Sequence, residues 1–174
     1  MSIIIFLLTR MKHIMADNNS IGLRGESIFT TRITQGNVFN VYFLGDKTPV
    51  VDFLVEINDA NTPYAFVVQV KSTIRGYNTA GDLKVRVTRD KYMSLLKRPL
   101  PTYVAGVDIN TETVYLCPAF NDKTCVKSLP AKNKLKFTSP ATTKRVLALL
   151  KNDVIKYWQN AKTIGYKKKY TSIL

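Results

Sequence analysis

The spacing of apolar and polar positions changes period several times along the chain, and each change marks an element. Asp17 to Ser20 is a helix-capping cluster, and Ile21, Ile28, Phe29 and Ile33 then recur at helical spacing, predicting a helix over Ile21 to Gln35. Asn37 to Leu44 is β-branched and aromatic and predicts a strand, with Gly45-Asp46 turning out of it. Val50 to Ile57 and Tyr64 to Ser72 are two further strands, and the polar run Asn58 to Pro63 between them is turn chemistry. After a loop at Gly76 to Gly81 the pattern predicts a strand over Leu83 to Val87. A short helix follows, capped by Thr88 and ended near Leu96 by the Pro99 and Pro101 region.

Tyr103 to Ile109 and Thr113 to Cys117 read as two more strands, whereas 121–138 is lysine-rich and irregular. Ser139-Pro140 opens a long helix to about Ala161, whose shared face of Leu147, Leu150, Val154, Trp158 and Ala161 should cover a sheet. The expected fold class is α/β: a central mixed β-sheet flanked by helices, with a long C-terminal helix, in a single domain over 1–174. Residues 1–16 stand apart. The apolar run Ile3 to Leu8 is far shorter than the roughly 20 residues a membrane span needs. It fits an added edge strand, or an extension if translation starts at Met11 or Met15; a signal peptide is the least favoured reading.

Composition narrows the class. With 174 residues, 45% hydrophobic and 22% charged, the chain can bury a substantial core. Cys117 and Cys125 are too few for a disulfide framework and too far apart for a CxxC site, so reduced thiols and a cytoplasmic location are expected. A lone histidine, His13, leaves little from which to build a zinc centre or a serine-type triad.

Charge changes the picture more. The net charge is +14, and residues 123–174 hold 13 Lys and Arg against a single acid, Asp153. A field of that sign favours polyanions. Lys144, Lys151 and Lys162 form one stripe on the long helix, and Lys167-Lys168-Lys169 follow in the tail. A basic surface that is merely solvated is the plain alternative; a membrane-surface role is weaker, because the apolar face of that helix is needed by the sheet.

The chemistry concentrates between Val50 and Ser72. Strand alternation puts Val67, Gln69 and Lys71 on one face and Phe66, Val68 and Val70 on the other. Asp52 sits among Val50, Val51, Phe53, Leu54 and Val55, where an isolated carboxylate is costly unless a partner or a cation satisfies it. Glu56 shares the parity of Asp52 and could face the same site. The preceding helix brings Glu26 in Gly22-Leu23-Arg24-Gly25-Glu26, and two glycines within one helix imply close backbone approach or a frayed start.

Gly-x-x-Gly-Glu on an opening helix, Val-Val-Asp on a strand and Val-Gln-Val-Lys-Ser-Thr on the next together resemble the PD-(D/E)XK nuclease superfamily. The likeness is nearest to the bacterial domain of unknown function 4365, and more distant to Mrr-type restriction endonucleases and Holliday-junction resolvases. It is strongest over residues 20–75 and fades beyond about residue 120. It departs at Gln69, where many members carry Glu, and at Lys47-Thr48-Pro49, where a glycine-rich stretch is common.

The resemblance implies a restriction-endonuclease-like core and a Mg²⁺- or Mn²⁺-dependent endonuclease acting on DNA, in restriction, phage defence or repair. It implies that Asp52, Gln69 and Glu26 hold the metal, and that Lys71 orients or deprotonates the attacking water and stabilises charge on the phosphate. Read from the residues themselves, Arg75, Lys84 and Arg86 could line a nucleic-acid groove, although an exposed polar strand explains them equally, and Lys144, Lys151 and Lys167 to Lys169 would add basic contacts. The alternative is a module of the same fold that binds nucleic acid or a partner protein without cutting; a homodimer fits either reading. Taken without the resemblance, Asp52, Gln69 and Lys71 could equally form a structural ion pair with a bonded amide.

Overall fold

The structure is a computed structural model that describes residues 2–45, 48–59, 61–119, 135–137 and 140–164, with side chains over 18–119 and 143–161 of these. Asp46, Cys125, Ser139 and Lys167 to Lys169 lie outside the described residues, as does the side chain of Lys162.

The chain opens with helix α1 (Ser2–Ile33) and a 3₁₀ turn at Gln35–Asn37. Strands β1 (Phe39–Phe43), β2 (Phe53–Ile57) and β3 (Ala65–Thr73) follow, then helix α2 (Arg89–Leu96). Strands β4 (Thr102–Asp108), β5 (Thr113–Pro118) and β6 (Leu135–Phe137) lead to helix α3 (Pro140–Ile164). The six strands form one sheet in the order β1-β2-β3-β4-β5-β6, so neighbours in space are neighbours in sequence. Every pairing is antiparallel except β3 with β4, which are parallel because the chain crosses over through α2 between them. The α/β class with a mixed sheet and a long C-terminal helix is therefore as expected.

Each face of the sheet has its own core. Ile28, Phe29 and Ile33 of α1 and Leu147, Leu150 and Val154 of α3 pack on Val55, Phe66, Val68 and Tyr103. On the opposite face Tyr92 and Leu95 of α2, with Leu83, Val85 and Val87, cover Val67, Val104 and Tyr115. Both faces are covered, so the central strands are near-continuous hydrophobic runs, and β4 and β5 are buried at every position. Trp158 caps the far end of α3: its Nε1 donates to the Ala65 carbonyl at 2.9 Å and its ring stacks on Tyr64. That is the packing role expected of it.

Four expectations need correction. Leu135–Phe137, inside the stretch expected to be irregular, is strand β6. Ile3 to Leu8 is helical, not an edge strand, and Asp17 to Ser20 falls inside α1 instead of capping its start. Leu83 to Val87 alternates buried and exposed as a strand would, yet joins no strand of the sheet; a single bridge, Tyr77 to Leu83, holds it. The period of two survives because the segment lies on the face of the sheet, where alternate residues must still point inward. Cys117 is buried, with its Sγ 3.6 Å from the Pro118 carbonyl oxygen. Among the described residues, no helix is long and apolar enough to cross a membrane.

Candidate active site

The site forms where β2 peels away from β3. Phe53 to Glu56 pair with Val68 to Ala65, and the Asp52 backbone N–H still donates to the Val68 carbonyl at 3.0 Å. Before that point the chain turns off sharply, and Val50 has a left-handed backbone (φ 73°), a conformation that a β-branched side chain strongly resists. Strain of this kind costs about 1–3 kcal/mol and persists only where the surroundings enforce it. Its effect here is to end the β2 ladder at Asp52 and leave the β3 edge open beside it.

The Asp52 carboxylate fills that opening. Its Oδ2 accepts the Val70 backbone N–H at 2.6 Å and the Gln69 Nε2–H at 2.5 Å. Gln69 is buried, and its Nε2 also lies 3.2 Å from the Val70 carbonyl oxygen. Asp52, Glu26, Gln69 and Lys71 line one cleft of about 320 Å³, together with Gly22 and Ser72. All four residues that the resemblance singles out border this cleft.

Glu26 reaches the cleft because α1 lies unusually close to β3. A Cβ placed on Gly25 would stand 2.7 Å from the Ser72 Cβ and 1.7 Å from its Oγ, closer than any side chain tolerates. Glycine there is a contact requirement, as its presence in a helix implied. Gly22 is different: nothing lies within 4 Å of its Cβ position, and it borders the cleft.

The electrostatics follow from partial burial. Desolvation pushes the Asp52 carboxyl above its ordinary value, against the Val70 N–H, Lys71, Gln69 and Lys91, which all favour the charged form. Desolvation likewise draws the Lys71 ammonium down; Lys91 adds to this, while Asp52 and Glu26 oppose it. An acid and a base in one cleft are thus both moved toward neutrality, a pattern typical of sites that handle protons. Lys91, on the exposed side of α2, is the contributor that sequence patterning missed. It lies on a short helix separated from the motif by an irregular segment, so no spacing rule connects it to Lys71.

Glu56 does not join the site. It lies four residues along β2, roughly 13 Å from Asp52 at strand rise, and its charge acts on Tyr42, raising that phenol. Same parity placed it on the right face but at the wrong end.

The expected nucleic-acid contacts divide. Arg75 and Lys84 line a second hollow of about 480 Å³ that shares Asn18, Ile21 and Ser72 with the cleft. Arg86 is exposed two residues further along the same segment. This segment is held firmly: Lys84 N–H donates to the Gly76 carbonyl at 3.0 Å, and the Tyr77 and Tyr115 hydroxyls hydrogen-bond at 2.8 Å. The Tyr77 phenol is accordingly raised, by burial first and then by Tyr115.

Lys144 is exposed on α3. Lys151, however, is bound to Asp59 at 3.3 Å, at the β2–β3 turn and so at the opposite end of β2 from Asp52. The helical stripe expected to act as one basic surface is therefore broken at Lys151. Its charge is taken up by an acid that the turn presents.

Among the described residues no three His, Cys, Asp or Glu side chains cluster as a metal site. The cleft instead offers two carboxylates, an amide and the Val70 carbonyl, which are oxygen donors suited to a hard divalent cation. Comparison with protein-family models, characterised proteins and solved structures finds no match.

Proposed function

We propose that this protein is a metal-dependent phosphodiesterase of the PD-(D/E)XK type that cleaves DNA. The observation that carries the reading is the convergence of Glu26, Asp52, Gln69 and Lys71 on one cleft at the open edge of β3. Asp52, Glu26 and the Val70 carbonyl would hold Mg²⁺ or Mn²⁺, with the Gln69 amide as a further donor. The bound cation would supply Lewis-acid stabilisation of the phosphoryl oxygens and acidify a water.

The chain's own groups supply the rest. Lys71, its proton affinity lowered by burial, can accept a proton from the attacking water or hold the charge that builds on the phosphate. Arg75 and Lys84, in the adjoining hollow, fit flanking phosphates, and each phosphate neutralised steepens the salt dependence by about 0.9 on duplex DNA. The β3 edge and the helix α1 fix the acids and the lysine on rigid elements. A role in restriction, phage defence or repair, in the cytoplasm, goes with the resemblance.

One observation favours a second reading, a nucleic-acid-binding module without cleavage. Gln69 turns its N–H, not its carbonyl, toward Asp52. Incubating plasmid with the protein and Mg²⁺ or Mn²⁺, alongside Lys71→Ala and Asp52→Asn, separates the two. Nicking that both substitutions abolish supports the enzyme. Binding without nicking under either metal supports the module, and parallel RNA substrates test which nucleic acid is cut.

A further inference from the structure

The orientation of Gln69 is fixed twice over. Its Nε2 lies 2.5 Å from Asp52 Oδ2 and 3.2 Å from the Val70 carbonyl, and an ionised carboxylate and a backbone carbonyl can only accept. Turning the amide over would aim its carbonyl oxygen at a carboxylate and abandon both hydrogen bonds. With no cation between them, electrostatics admits only the donor orientation. A divalent cation beside Asp52 reverses the sign: an N–H pointing at it is repelled, and a carbonyl oxygen is attracted.

From this geometry we infer that Gln69 is a two-position residue, a hydrogen-bond donor to Asp52 in the arrangement described and an oxygen ligand when a divalent cation is bound. The change needs only rotation of the terminal amide, a soft torsion in glutamine. The inference rests on the metal reading proposed above, and it gives the glutamine a use that glutamate lacks. A carboxylate at position 69 could not donate to Asp52, and without a cation the two acids would oppose each other. Gln69 thereby lets the protein stay stable without metal, at the expense of one ligand charge.

The test uses the full chain. Gln35, Gln69 and Gln159 are its only glutamines, so the Gln69 side-chain amide signals in a ¹⁵N spectrum are assigned by their loss in Gln69→Glu. Titration with Mg²⁺ should shift those signals upfield as the bonds to Asp52 and Val70 break, with no such shift in Asp52→Asn. In parallel, Gln69→Glu should melt lower than wild type without metal, gain more in Tm from Mg²⁺, and bind it about tenfold more tightly, since ligand charge sets affinity. If Mg²⁺ raises the wild-type Tm while the Gln69 signals stay fixed, the two-position inference is overturned and the metal reading survives. If Mg²⁺ and Mn²⁺ change neither Tm nor spectrum at tens of millimolar, the metal reading falls and takes this inference with it.

Discussion

Asp153 and Asp52 are both drawn away from solvent, and they are not alike. Asp153 on α3 is fully buried against the sheet, where the Tyr103 hydroxyl donates to its Oδ2 at 2.6 Å among Leu150, Val154 and Phe66. Asp52 is only half-buried, is bonded to a backbone N–H and a rotatable amide, and opens on a cleft that also holds Glu26 and Lys71. Burial of an acid therefore does not mark a site. What separates the two is access, together with a nearby group that can exchange protons. Asp153 helps fix the docking of α3; Asp52 stays reachable through the cleft it lines.

Substitutions can break this contrast or sharpen it. The largest effect is expected from Lys71→Ala and Asp52→Asn, which should lower cleavage by at least about 10²–10³-fold while leaving a folded protein. Plasmid nicking read beside circular dichroism checks it, and loss of fold in either would place Asp52 with Asp153 as structural. Next, Asp153→Ala should cost about 3 kcal/mol in urea unfolding, because it leaves a buried hydroxyl without its acceptor, yet leave cleavage per folded molecule unchanged. A change in turnover would show that the two aspartates are coupled.

Gly25→Ala should cost about 1–3 kcal/mol, since the Ser72 Cβ must move, and adding Ser72→Gly should restore much of that loss. A double-mutant cycle with no coupling would remove the close approach of α1 from the account. Gly22→Ala is expected to do the reverse, stabilising α1 by up to about 1 kcal/mol. The added methyl borders the cleft, so binding of Mg²⁺ should be followed in the same variant.

The smallest effects lie in the pH dependence. Asp52 is raised above its ordinary value of 3.8, so its share of stability is complete below that pH and is lost as pH rises through the folded value. Lys71 is lowered from 10.5, so its share is complete above that pH and is lost as pH falls through the folded value. Asp52→Asn should accordingly gain on wild type between acid and neutral pH in thermal melts. A constant difference across that range would show that Asp52 is not desolvated.

Local signals made most of the site legible. Parity along β3 gave the face shared by Gln69 and Lys71, and a carboxylate inside an apolar strand singled out Asp52. Two glycines beside Glu26 announced a tight approach, which Gly25 makes. What failed was long-range. Parity cannot tell which end of a strand meets a cleft, so Glu56 was placed wrongly. A lysine stripe does not reveal that Asp59 takes one of its members, and nothing near Asp153 points to Tyr103, fifty residues earlier. The 83–87 segment had the correct period and the wrong partner, because alternation records burial and not hydrogen bonding.

The sequential strand order has a consequence for how the molecule comes into being. The groups of the cleft come from α1, from Asp52 just ahead of β2, and from β3, so the cleft is built within the first half of the chain. The crossover, α2 and everything after it cover this nucleus and supply its outer charges. Duplications, insertions or exchanges in the later half could therefore alter the charged surroundings while the cleft of the first half passes through intact.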